Sequence, residues 1–181
     1  MNEYLLNALV SRFETLETEL NTLDAATGDG DHGTTMLKGL QAVANDTGNP
    51  AKAFRRAAGG ASGSIFSVVV GALDQCEKGQ IKLSDALQVA ALRITALGQA
   101  VAGDKTMLDA LLPASEANTA RHAAMAARAG AHATQSMSAK RGRAKYVEGN
   151  GVGHIDAGAR SFAEMLDVFA DWQDSSGSEN V

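Results

Sequence analysis

Leu6, Leu9, Phe13, Leu16, Leu20 and Leu23 recur at alternating spacings of three and four, which makes one apolar face of an α-helix. The stripe ends at Asp24, and the segment beyond it has no place in a hydrophobic core. Asp24, Asp29 and Asp31 are set among Gly28, Gly30 and Gly33. Carboxylates this close in sequence repel one another unless water, counter-ions or hard cations separate them. Glycines let the chain turn sharply and let backbone approach a ligand. The first helix must therefore deliver an acidic, glycine-rich segment to the surface, read here as a carboxylate cup for Mg²⁺ that faces a nucleotide's phosphates.

The rest of the chain also reads as helix. Thr34 or Thr35 can cap a second helix that runs to about Asn45 through Met36, Leu37, Leu40 and Val43. Asp46-Thr47-Gly48-Asn49-Pro50 breaks the pattern before a short helix over 51–58. Gly59-Gly60-Ala61-Ser62-Gly63-Ser64 interrupts again. The apolar run from Ile65 to Leu73 is read as a buried helix, because it extends to Cys76 and has no second strand to pair with. Ser84 is expected to cap a helix carrying Leu87, Val89, Leu92, Ile94 and Leu97; Gly103-Asp104-Lys105-Thr106 leads into Met107–Leu112, and Pro113 marks a bend. The alanine-rich stretch 114–139 predicts one long helix, and 140–158 shows no helical period. Phe162, Met165, Leu166, Phe169 and Trp172 form the last apolar face. The expectation is an all-α bundle of about eight helices over residues 1–172, with a disordered polar tail at 173–181.

Composition narrows the function classes. A length of 181 residues suits one domain, and two prolines permit long helices almost everywhere. A net charge of −5 argues against nucleic acid as the partner. The single Cys76 offers no disulfide framework and reads as a small buried hydrophobe in a reducing compartment. The first twenty residues carry charge throughout and no apolar run reaches membrane length, so a cytoplasmic protein is expected.

Gly28-x-Gly30-x-x-Gly33 matches the dinucleotide fingerprint in letters alone. A helix precedes it where a strand is required, and bare carboxylates in the loop would repel a pyrophosphate. An EF-hand would need Glu where Leu40 or Thr35 stands. Three aspartates within eight residues instead suit two Mg²⁺ ions bridging a nucleotide's phosphates. An acidic loop in which Asp29 or Asp31 caps the next helix is the other reading. His32 can contact phosphate, orient an aspartate, or lie on the surface. Thr34 and Thr35, and separately Gly60-Ala61-Ser62-Gly63, stand at helix N-termini where free N–H groups attract anions. Lys140, Arg141, Arg143 and Lys145 form a basic cluster, either solvated or directed at phosphates or a partner's acidic surface.

Taken in order, Leu23-Asp24, Gly28-Asp29-Gly30-Asp31-His32-Gly33, Gly60-Ala61-Ser62-Gly63, Gly103-Asp104-Lys105-Thr106-Met107, Lys140-Arg141-Gly142-Arg143-Ala144 and Gly153-His154-x-Asp156 resemble the nucleotide-binding L subunit of dihydroxyacetone kinases. That subunit is equivalent to the C-terminal domain of the single-chain kinases, and the resemblance runs from about residue 4 to 172. It implies a closed barrel of eight antiparallel helices with ADP or ATP bound at one end. It assigns Asp24, Asp29 and Asp31 to two Mg²⁺ ions, and His32, Gly33, Thr34 and Thr35 to the phosphate segment. Ala61, Ser62 and Gly103 would lie beside the nucleotide, with Arg143 and the Asp156-Ala157-Gly158 turn closing over it.

The resemblance also implies that the ketone is held on a separate K-type subunit, as a hemiaminal to a histidine absent from this chain. Catalysis here would then be metal-borne electrostatics and positioning. A phosphotransferase-system phosphocarrier would be a further partner where phosphoenolpyruvate is the donor. The alternative is a nucleotide-sensing module that signals to a partner such as a transcription regulator. Two departures stand out. Asp156-Ala157-Gly158 replaces the family's Asp-Pro-Gly, and Val147–Gly153 is glycine-rich where the family carries a Glu-Arg pair. The second predicts a floppier lid over the nucleotide.

Overall fold

A computed structural model describes residues 1–178 of the chain. Those residues form eight α-helices and no strand: α1 (Glu3–Ala25), α2 (His32–Ala44), α3 (Pro50–Ala58), α4 (Gly60–Glu77), α5 (Leu83–Gly98), α6 (Leu108–Ser115), α7 (Ala120–Ala133) and α8 (Ala157–Ser178). Each helix packs against the next and α8 returns to α1, so the ring closes. Short connections make successive helices from α1 to α7 antiparallel, and the longer segment 134–156 returns the chain so that α8 starts at the same end as α2, α4 and α6. The N-termini of α2, α4, α6 and α8 therefore share one end with the C-termini of α1, α3, α5 and α7.

The leucine stripe of α1 turns inward as its period requires, with Leu5, Leu9, Phe13 and Leu20 fully buried. Phe54, Phe162, Phe169, Met36, Leu40 and Leu73 complete the centre of the core. Burying each such side chain contributes roughly 1.5–3 kcal/mol. Asn2, Asn49 and Thr119 accept backbone N–H groups at the starts of α1, α3 and α7, and Pro50 opens α3 where no N–H is needed. Arg12 of α1 donates to the buried Glu164 of α8, which also accepts from Arg160, and Arg160 in turn reaches Glu19 of α1. Cys76 is buried, and desolvation pushes its thiol up to about 11. None of these helices is long and apolar enough to cross a membrane.

Two glycines set the closest helix approaches. A methyl at Gly33 would collide with the Glu17 carbonyl of α1, and one at Gly130 with the Asp109 carbonyl of α6. Pro113 lacks the N–H that would otherwise bond to that Asp109 carbonyl. Alanines continue the close packing along α7, where Ala123, Ala124, Ala127 and Ala131 are buried.

Several expected boundaries move. Helix α2 starts at His32 with Asp31 as N-cap, three or four residues before the expected cap at Thr34 or Thr35, and Asp31's side chain makes no capping bond. Gly60–Gly63 is the first turn of α4 rather than an interruption, and α5 begins after Lys82 rather than at a Ser84 cap. The stretch 114–139 is not one helix. Helix α6 carries Pro113 and ends at Ser115, Thr119 takes extended backbone and caps α7, and a 3₁₀ turn comes next at Thr134–Ser136. Helix α8 continues through 173–178, which were expected to belong to a disordered tail, where Arg121 of α7 pairs with Asp171 and Asp174. Residues 179–181 lie outside the described residues.

His32, expected beside phosphate or at the surface, is only 7 % exposed. Its ring packs on Phe66, with centroids 5.6 Å apart, and Nε2 lies 2.9 Å from Ser161 Oγ of α8. Desolvation lowers its pKa from 6.5 to about 4. The native state then binds fewer protons than the unfolded state between those values, so stability present above pH 6.5 is lost as pH falls toward 4.

Gly33→Ala and Gly130→Ala should each lower unfolding free energy by about 1–3 kcal/mol through overpacking. Gly71→Ala, whose new methyl meets only Ala51 Cβ at 3.4 Å, should raise it by about 0.5–1 kcal/mol in the same denaturant titration. In addition, wild type should lose about 2 kcal/mol more than His32→Gln between pH 7 and pH 5, given a native pKa of about 4. Equal losses would mean that the ring is not buried neutral.

Candidate functional site

The acidic segment is shaped by its own backbone. Thr27 and Gly28 N–H groups donate to the Asp24 carbonyl at 2.9 and 2.5 Å, which ends α1 in a tight turn. Gly30 and Asp31 N–H groups then donate to Asp24 Oδ2 at 2.9 and 3.1 Å. A side chain at Gly28 would stand 2.5 Å from Asp24 Oδ1, so only glycine leaves that oxygen clear. One carboxylate oxygen each from Asp24, Asp29 and Asp31 ends within 4.8 Å of the others. Three hard oxygen donors in this arrangement fit a divalent cation such as Mg²⁺. The capping alternative loses support, since Asp31 occupies the N-cap position without a side-chain bond.

The counter-charge at these acids is Arg143, whose guanidinium pairs with Asp29. That pairing holds Asp29's carboxyl below the usual carboxylate range. Lys140 and Arg141 face the buried Asp104 at 3.7 and 3.3 Å, and Lys145 lies 4.6 Å above the Tyr146 ring. The basic cluster is thus engaged rather than simply solvated.

Beside the acids opens a cavity of about 630 Å³, within the range of small-molecule sites. Its walls come from the shared end of the ring. Thr35 of α2, Ala61 and Ser62 of α4, Met107 and Leu108 at the start of α6, and Ala157 and Gly158 of α8 all line it. Four helix N-termini therefore converge on one space, and each turns the positive end of its dipole toward it. Helix α4 begins after Gly59, at φ 66, with no side chain capping its first N–H groups. Ile65, Phe66 and Ile94 supply an apolar wall, and Asp24, Asp29, Asp31 and Arg143 line the same cavity.

Of the other expected site residues, His32 and Asp156 line the cavity, and Gly33, Thr34 and Gly103 do not. Gly33 packs against α1. Thr34 donates its hydroxyl to Glu17 Oε1 at 2.7 Å and its N–H to Asn21 Oδ1 at 3.1 Å, and neither Gly33 nor Thr34 lines the cavity. Gly103, at φ 82, serves the α5–α6 connection, where its N–H donates to Asp109 Oδ1 at 2.5 Å. Asp156 lies on the cavity wall and accepts the Ala159 N–H at 2.7 Å at the start of α8. Burial raises its carboxyl to about 6.

The segment 137–156, whose stretch 147–153 was expected to make a floppier lid, is fastened at both legs. Ala139 N–H donates to the Asn150 carbonyl at 2.9 Å, Gly153 N–H to the Gln135 carbonyl at 2.8 Å, and Gln135 Nε2 to the Gly153 carbonyl at 3.1 Å. Gly149, Gly151 and Gly153 have φ of 72, 72 and 96, so these glycines meet the demands of the turns. Lys105 was not among the expected site residues, although a charged pair in a non-helical stretch was a signal. It is 3 % exposed, lines the cavity and donates to the Thr134 and His154 carbonyls. Desolvation lowers its pKa, against the pull of Asp156 and Asp109.

Comparison with known proteins gives the family. Residues 26–171 match the DAK2 domain. The chain is 34 % identical to an L-erythrulose kinase of Pectobacterium atrosepticum, over 83 % of this chain and 31 % of that protein. It is 30 % identical to a dihydroxyacetone kinase of Citrobacter freundii, over 92 % of this chain and 34 % of that protein. The crystal structure of the dihydroxyacetone kinase from C. freundii in complex with AMP-PNP and Mg²⁺ superposes with a TM-score of 0.71 at 26 % identity, covering 95 % of this chain and 34 % of that one. The chain thus spans about a third of the length of the curated relatives it matches. By fold and sequence alike, the chain belongs to the DAK2 domain family.

Proposed function

We propose that this chain is the ADP/ATP-binding unit of a kinase for a small ketose, dihydroxyacetone or erythrulose, working with a substrate held on a separate K-type subunit. The observation that carries the reading is the meeting of three carboxylate oxygens within 4.8 Å with four helix N-termini around one cavity. Acids alone would repel phosphate. Two Mg²⁺ ions held by Asp24, Asp29 and Asp31 would supply the positive charge that makes the same wall attract it.

The chain's own residues then have defined tasks. Asp24 is held in place by its two backbone donors and fixes the position of the cup. The first N–H groups of α4, at Ala61 and Ser62, and the hydroxyl of Thr35 on the cavity wall face phosphate oxygens. The apolar wall of Ile65, Phe66 and Ile94 receives the base. Arg143, released from Asp29 when a cation takes that carboxylate, is free to neutralise phosphate from the lid. No nucleophile is needed, because positioning and electrostatics carry phosphoryl transfer. The AMP-PNP and Mg²⁺ of the C. freundii structure support the same ligand pair here.

With a K-type subunit, ATP and Mg²⁺, the chain should phosphorylate dihydroxyacetone or erythrulose, and Asp31→Ala should lower the rate by about a hundredfold or more. Mg–ADP binding without turnover on any cognate subunit or with a phosphocarrier donor would instead favour the nucleotide-sensing reading. Arg143→Gln separates two contributions. Mn²⁺ alone should bind the variant several-fold tighter by electron paramagnetic resonance, since its competitor for Asp29 is gone, while Mg–ADP should bind about tenfold more weakly. Weaker binding of both would contradict the exchange of partners at Asp29.

A further inference from the structure

Lys105 sits in an environment that stability alone does not favour. Its backbone is left-handed, with φ 60, a conformation costly for any residue with a Cβ. Its ammonium is buried, which costs desolvation unless partners compensate. Compensation comes from distant parts of the chain. Nζ donates to the Thr134 carbonyl at 2.5 Å, at the end of α7, and to the His154 carbonyl, on the returning leg of the lid. Thr134 is itself fully buried, and its hydroxyl accepts the Asp156 N–H at 2.9 Å. The lid also rests on the lysine stem, since a methyl at Gly151 would stand 3.1 Å from Lys105 Cε and 2.8 Å from Thr27 Cγ2. One side chain on the α5–α6 connection thereby meets the end of α7 from which the lid departs, the lid's returning leg, and, in Thr134, the residue whose hydroxyl holds the Asp156 N–H.

We infer that Lys105 is the positioning residue of the cavity: its ammonium pins the lid through the Thr134 and His154 carbonyls and so sets Asp156 and Arg143 relative to the acidic cup. The inference rests on the nucleotide-binding reading above for its effect on ligand, but the pin itself does not. Asp104, the neighbouring residue, holds the other side of the lid through Lys140 and Arg141. The Gly103–Thr106 connection thus grips the lid by two adjacent side chains of opposite charge. The cup is built from α1 and the turn after it, and it makes no bond to Lys105. Removing the lysine should therefore loosen the lid and leave the cup intact.

The test uses the full chain with Lys105→Met, which keeps length and apolar stem, and Gly151→Ala, which pushes the lid off an intact lysine. Hydrogen exchange at Ala139, Asn150 and Gly153 should accelerate about tenfold or more in both variants, with the exchange of α1 and α4 unchanged. The Kd for Mg–ADP should rise about tenfold, while Mn²⁺ binding in the absence of nucleotide should stay within about twofold of wild type. Unchanged exchange in the lid would overturn the pin. Faster exchange with unchanged Mg–ADP affinity would overturn the positioning role. A parallel loss of Mn²⁺ binding and thermal stability in both variants would reduce Lys105 to a merely structural residue. If wild type bound no Mg–ADP at all, the nucleotide reading would fall, and the exchange data would still decide the pin.

Discussion

Like charges brought together at the end of a helical ring need an opposing charge, and much of this structure serves that need. Asp24, Asp29 and Asp31 offer oxygens within 4.8 Å of one another. The closed antiparallel ring places four helix N-termini at the same end, so the backbone itself contributes positive potential around the acids. Arg143 adds a full charge on Asp29 from the lid. The site is thus poised between two counter-ions, a protein guanidinium and an external cation, and phosphate gains a favourable partner when the cation takes Asp29.

That electrostatic arrangement depends on packing elsewhere. The cup keeps its shape because α1 and α2 approach closely at Gly33, and because Gly28 leaves Asp24 Oδ1 clear. The lid is fixed at its base by Asp104 and Lys105, one paired with side chains and the other with carbonyls. Helices α6 and α7 meet at Gly130, against the Asp109 carbonyl that Pro113 leaves without its usual helical partner. Core packing and site geometry are therefore linked through a few close backbone contacts. A cavity of about 630 Å³ survives at one end because the starts of α2, α4, α6 and α8 and the lid surround it without filling it.

What could be read from the sequence was local. The leucine stripe of α1 and the acids after it lie close together along the chain, so period and spacing were enough to place both. The alanines of 114–139 announced close packing, but they did not show that Thr119 would break the run by capping α7. His32 lines the cavity beside the acids, but its neighbours in sequence did not show how deeply its ring is buried. Its burial is decided by Phe66 and by Ser161, 129 residues away. Lys105 is similar, since its partners lie 29 and 49 residues downstream. The glycines of the lid suggested freedom, whereas the fold uses their positive φ to dock it. Helix α8 outran its expected end because Arg121, 53 residues before Asp174, ties it down.

The most direct measurement is calorimetric titration of the wild-type chain with ADP, once with Mg²⁺ in excess and once with a chelator in excess. Mg²⁺-dependent binding that vanishes with the chelator, and that Asp29→Ala does not recover at saturating Mg²⁺, is the predicted result. Equal ADP affinity with and without the metal would contradict the claim that these three aspartates act on phosphate through a cation.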